Sequence, residues 1–266
     1  MPIFGVAVAG LRHTVQSPRY FLAVFWLPWL LGTIALLVLE VVAQDQLRLG
    51  PAPDWVRETV WAPFAAMTYL MLLRWVLDGA APARAINLDV GRRTWVAAPI
   101  IAAWFVANSA ASSAPGATLQ WLGPDFDVHR WEALVAYIAT LLLYFWLVKG
   151  AFLACFFGLI VVVARRGRPD PRELWRLLRL QPARLFCISL IAVAAVGGLS
   201  HIAAIVQAWL GLDRLEPATM IPWRANIRWA LLSELARFPL HFLEFAIEGS
   251  ILAEAYRRLL LERGGQ

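Results

Sequence analysis

Apolar positions in this chain fall in long unbroken runs, not at the three-and-four spacing of a surface helix. Uncharged runs cover 20–39, 59–73, 94–124, 133–148, 150–164 and 185–212, each close to the ~20 residues that cross a bilayer core as a helix. A further stretch, 226–258, is mostly apolar but carries Glu234, Arg237, His241, Glu244 and Glu248. At about 100° per residue these five fall within an arc of about 80°, so one face is ionisable and the others are not. Charge at membrane depth faces protein or water and finds partners. Two roles therefore stay open for the stripe: a self-neutralising seam that joins helices, or a proton or cation path. Pro239 is expected to kink the helix and set Glu234 and Arg237 on an outer, interfacial segment.

Residues 131–164 form one continuous apolar pattern, about 51 Å long as a helix, which either tilts or bends at Gly150. Counted once, it brings the spans to six. Two shorter stretches are amphipathic. In 3–19, Phe4, Val8, Leu11 and Val15 share one side, with Arg12, His13 and Gln16 elsewhere, as expected of a helix lying at a membrane surface. Asp170-Pro171-Arg172-Glu173 combines an N-cap, a first-turn proline and a capping glutamate. It opens a helix with Arg172, Arg176 and Arg179 along one side. With Arg165, Arg166 and Arg168 these arginines are candidate contacts for anionic lipid headgroups.

Composition agrees with an integral membrane protein: of 266 residues, 61% are hydrophobic and 16% charged, against about a quarter charged in soluble domains. The net charge of +6 is explained by its distribution. With both termini inside, sixteen basic residues lie on the cytoplasmic side and six outside, as the positive-inside rule requires. The first apolar run exceeds a signal-peptide core and is taken as a mature span. The two cysteines, Cys155 and Cys187, fall within spans, so neither a disulfide framework nor a zinc site is indicated. His13, His129, His201 and His241 are the only histidines; His201 with His241 is the one pair that could clasp a haem. No nucleotide-binding glycine loop, nucleophile elbow or cysteine-pair motif occurs. No cofactor or metal is expected, and the chain leans away from enzyme.

The chain also repeats itself. Residues 9–21 resemble 174–186: a basic amphipathic turn, Gln, Pro, Arg, an aromatic, then an apolar span. Lys149-Gly-Ala-Phe-Leu-Ala-Cys155 aligns without a gap on Glu248-Gly-Ser-Ile-Leu-Ala-Glu254, and Trp61 to Met67 are the matching residues of a first copy. The expected architecture is all-α: one membrane domain over 1–266, six transmembrane helices as three parallel hairpin repeats of about 3–83, 84–169 and 170–266, each with an amphipathic interfacial helix. If the copies surround a pseudo-threefold axis, Lys149 and Glu248 come to equal depth and form an intramembrane ion pair.

This pattern of basic turn, proline, apolar span, outer loop and second span resembles the six-helix membrane domains of uncharacterised bacterial proteins. These are the YciC-like proteins and the membrane domain fused to some glycerophosphodiester phosphodiesterases. The resemblance implies a protein of the bacterial inner membrane with no catalytic residues to carry over, and the distribution of basic residues makes it multi-pass with N-in and C-in topology. The function expected is non-catalytic binding of lipid or of a membrane protein partner, with anionic headgroups at the cytoplasmic face and no nucleic acid. The alternative is a transporter or permeation subunit that uses the stripe of the last helix.

Overall fold

The computed structural model describes residues 2–42, 54–79, 91–122, 135, 139, 149–209 and 223–264. Among them the fold is all-α, with eight helices: α1 Ile3–Gln16, α2 Pro18–Val41, α3 Asp54–Asp78, α4 Arg92–Leu122, α5 Lys149–Arg166, α6 Pro171–Leu180, α7 Pro182–Trp209 and α8 Trp223–Gly264. Three segments, Pro18–Leu39, Trp55–Asp78 and Pro182–Leu199, are long and apolar enough to cross a membrane. A fourth joins them if the bent pair of α5 and α6, whose axes turn by 119°, counts as one span. Most of 131–148 and all of 84–90 lie outside the described residues, as do 43–53 and 210–222.

The helix boundaries follow local chemistry. Ser17 (φ −132°, ψ 46°) ends α1 and Gln181 (φ −149°, ψ 62°) ends α6; each precedes a proline, whose ring pushes its predecessor out of the helical region. Pro18 and Pro182 then start α2 and α7, because a fixed φ and a missing N–H are harmless at a first helical position. The amphipathic helix expected over 3–19 thus stops at Gln16. The two breaks are 164 residues apart, one fewer than the pairing of 9–21 with 174–186.

At the other ends, Gly79 (φ 67°) and Gly167 (φ 72°) adopt the left-handed conformation that side chains disfavour. Their N–H groups close α3 and α5 on the carbonyls of Trp75 (2.9 Å) and Val163 (2.8 Å). These caps are 88 residues apart, the spacing that pairs Trp61 with Lys149.

One boundary differs from expectation in substance. Residues 111–116, whose serines, proline and glycine read as an outer loop, are helical, and α4 continues to Leu122. By propensity the proline and glycine of this stretch disfavour a helix more than its two alanines favour one, so local preference does not explain the continuation. Likewise Asp54 to Glu58, which carry charge ahead of the apolar run at 59–73, already belong to α3. Pro239 sits inside α8, which runs as one helix from Trp223 to Gly264.

Three helices make the centre. α3, α5 and α8 touch one another, α2 lies against α3 and α8, α4 against α3 and α5, and α7 against α5 and α8. Burial agrees: half of the apolar window of α3 is buried, against 33% for α2 and 22% for α7. In α5 the consecutive residues Ile160 to Ala164 are all buried, and in α8 so are Gly249 to Tyr256, the all-round burial of a central helix. Lipid tails are as apolar as leucine, so close packing and not water exclusion holds such helices together. Glycines supply the notches: a Cβ on Gly150 would stand 2.6 Å from Leu190, and one on Gly249 would overlap the Leu72 side chain.

Candidate functional site: buried carboxylates and the arginine rim

Of the stripe on α8, the side chains of Glu234 and Arg237 lie outside the described residues, as does that of Lys149, so the ion pair expected between Lys149 and Glu248 falls there too. His201 falls there as well. The other three stripe residues are placed. His241 Nδ1 is 3.5 Å from Glu244 Oε2, one helical turn on. The Tyr69 hydroxyl of α3 donates to Glu248 Oε1 at 3.4 Å. The same face is then apolar as far as Leu259, with Leu252, Ala255 and Leu259 each 0% exposed, and its next charge, Glu262, is exposed near the end of the helix. The stripe is therefore interrupted after Glu248 by a sealed apolar stretch.

The opposite side of α8 receives α1. Gly10 rests on the backbone of Ile251, and the Thr14 hydroxyl meets Ser250 Oγ at 2.8 Å and the Ala246 carbonyl at 3.0 Å. One turn further along α8, Glu254 is buried, its side chain 1% exposed. Arg257 donates to it through Nε (2.6 Å) and Nη2 (2.9 Å), Arg258 through Nε (2.7 Å). His13 Nε2 stands 3.9 Å from the same carboxylate, an ion pair only when the imidazole is charged. Sequence reasoning passed over Glu254, although its arginines at i+3 and i+4 are the spacing at which helical side chains meet.

A second buried carboxylate sits where α6 meets α5. Glu173, 3% exposed, lies 3.1 Å from Arg166 Nη2 and 3.8 Å from Arg176 Nη1. Asp170 caps α6, accepting from the N–H groups of Arg172 (3.0 Å) and Glu173 (3.2 Å), and pairs with Arg166 at 2.9 Å. The bond from the Glu173 N–H, then that from Arg172, and the charges of Arg166 and Arg168 hold the Asp170 carboxyl below its ordinary range. Arg93 Nη1 donates to the Ala164 carbonyl at 2.7 Å, tying the start of α4 to the end of α5. Arg165, Arg172 and Arg179 are exposed and make no ion pair among the described residues.

Both short helices are three-sided, and with the same hand. On α1 the exposed apolar stripe of Phe4, Val8, Leu11 and Val15 is followed about 100° round by Arg12 and Gln16, and a further 100–150° round by the buried Val6 and Gly10. On α6 the order is Trp175, exposed, with Leu178 packed against the core, then Arg172 and Arg179, then the buried Glu173 and Leu177. On each helix one side faces protein, one is basic, and beside the basic side stands exposed apolar surface, four residues of it on α1 and Trp175 on α6.

No group of three His, Cys, Asp or Glu among the described residues is placed to hold a metal ion. Cys155 and Cys187 are free thiols. No family model, no curated protein and no solved structure matches this chain.

Proposed function

We propose that this chain is a non-catalytic integral membrane protein of the bacterial inner membrane, N-in and C-in, that binds lipid or a membrane protein partner at its cytoplasmic surface. The observation that carries the reading is the shared three-sidedness of α1 and α6, since an apolar side beside a basic side suits a helix seated at the headgroup level. We read the whole as six spans in three parallel hairpin units, about 3–83, 84–169 and 170–266. In support, each outer helix (α2, α4, α7) lies between two of α3, α5 and α8, while α1 rests on α8 and α6 on α5. That is the cyclic pattern of a threefold arrangement, consistent with the resemblance to the YciC-like membrane domains. The apolar continuation of the stripe beyond Glu248 favours the seam over the permeation path.

Native mass spectrometry of the protein extracted with its lipids in mild detergent tests the binding role. A stoichiometric lipid or protein adduct is the expected result, and a chain that carries neither under every mild extraction would overturn the reading. The threefold arrangement carries its own test in the ion pair of Lys149 and Glu248. Lys149→Glu should lower the thermal midpoint, and adding Glu248→Lys should restore most of the loss. Absence of rescue would remove the pair.

A further inference from the structure

The inner end of the molecule disposes of its charges unequally. Glu173 and Glu254 are buried, each held by two arginines, and Asp170 is consumed as a helix cap. The arginines left over point outward.

On α6, Arg172 and Arg179 are seven residues apart, on one side of the helix and about 10 Å from each other along its axis. Trp175 lies beside them, 64% exposed, on the flank between the basic and apolar sides. Because α6 turns by 119° from α5, an upright α5 leaves α6 within about 30° of the membrane plane. The same pairing recurs at the start of α4, where Arg92 is exposed and Trp95, three residues on, is 60% exposed.

We infer that this rim is a binding surface for anionic phospholipid of the surrounding bilayer, with Arg172 and Arg179 each taking a lipid phosphate and Trp175 seated between the headgroups. Charge complementarity selects this occupant: two guanidinium groups without a carboxylate partner face the level where anionic headgroups lie. An indole belongs at the same level, with its ring toward the acyl chains and its N–H toward water. The inference rests on the proposed binding role and narrows it from lipid or protein partner to anionic lipid at one named surface.

The test is lipid competition in vesicles of phosphatidylcholine containing phosphatidylglycerol, read by native mass spectrometry of lipids retained after gentle extraction and by spin-labelled analogues of both lipids. The parent protein should retain phosphatidylglycerol in preference to phosphatidylcholine. Each arginine near an anionic surface contributes about a fivefold preference, so Arg172→Gln with Arg179→Gln should reduce the selectivity at least tenfold. Trp175→Ala should shorten lipid retention without abolishing the charge preference. Circular dichroism and a monodisperse elution profile, unchanged in the variants, separate lost binding from lost folding. Equal retention of the two lipids by the parent protein, or a preference untouched by the double substitution, would overturn the inference. If a stoichiometric protein adduct persists in either case, the binding role stands with a protein in place of the lipid.

Discussion

Gly10→Ala should destabilise the protein by about 1–3 kcal/mol, the usual cost of forcing extra atoms into a packed contact, and Gly10→Leu by more. Helix propensity alone predicts the reverse sign, since replacing an interior glycine by alanine gains about 0.5–1 kcal/mol. Packing wins because the added Cβ would stand 2.6 Å from Ile251 Cα and 2.8 Å from its nitrogen. Those are backbone atoms of a central helix, which have nowhere to move.

The expected consequence is withdrawal of α1 from α8, which also breaks the Thr14 bonds to Ser250 and Ala246. Thermal unfolding in mild detergent reads the stability, at roughly 2–4 °C per kcal/mol for a chain near this size. A cysteine at Val6, in a background lacking Cys155 and Cys187, reads the withdrawal: Val6 is 0% exposed and should become reactive. Gly198→Ala is the matched control, as nothing stands within 4 Å of a Cβ there. An unchanged midpoint and a protected Val6→Cys thiol in the Gly10 variants would show that α1 does not dock on Ile251.

Glu254→Ala should cost about 1–3 kcal/mol. Removing one member of a buried pair typically costs about 3–5 kcal/mol, because the remaining charge loses its partner without regaining water. Here the side chains of Arg257 and Arg258 are 39% and 30% exposed, so they recover part of the loss by turning to solvent. The carboxylate lies between α8 and the His13 side of α1, so its removal weakens the same junction as the Gly10 substitution. Replacing Glu254, Arg257 and Arg258 together by methionine should cost less than Glu254→Ala, since an apolar set of similar volume leaves no charge unpaired. A triple variant no more stable than the single one would show that the arginines serve elsewhere.

Much of this architecture was legible along the chain. The runs at 20–39, 59–73 and 185–212 anticipate apolar helices, and Asp170-Pro171 anticipates a capped helix start, because these features depend on residues near one another in sequence. The spacing of Trp61 and Lys149 recurs in the glycine caps at 79 and 167 for the same reason. What failed was also local: the stretch at 111–116 reads as a loop by its serines and proline, yet continues α4.

The sequence by itself determined that this is a helical, membrane-type chain with arginine-rich segments beside its apolar runs and a charged stripe on its last helix, since length, hydropathy and helical period are written residue by residue. Only the tertiary structure decided where that stripe is interrupted. Leu252, Ala255 and Leu259 differ little in composition from lipid-facing positions, and nothing in their order shows that they are sealed against neighbouring helices. Nor could the sequence pair Glu254 with His13, or seat Gly10 on Ile251, because those contacts join residues some 240 positions apart. They exist only once α1 closes on α8, and it is the close approach of two backbones, permitted by a missing side chain, that makes them.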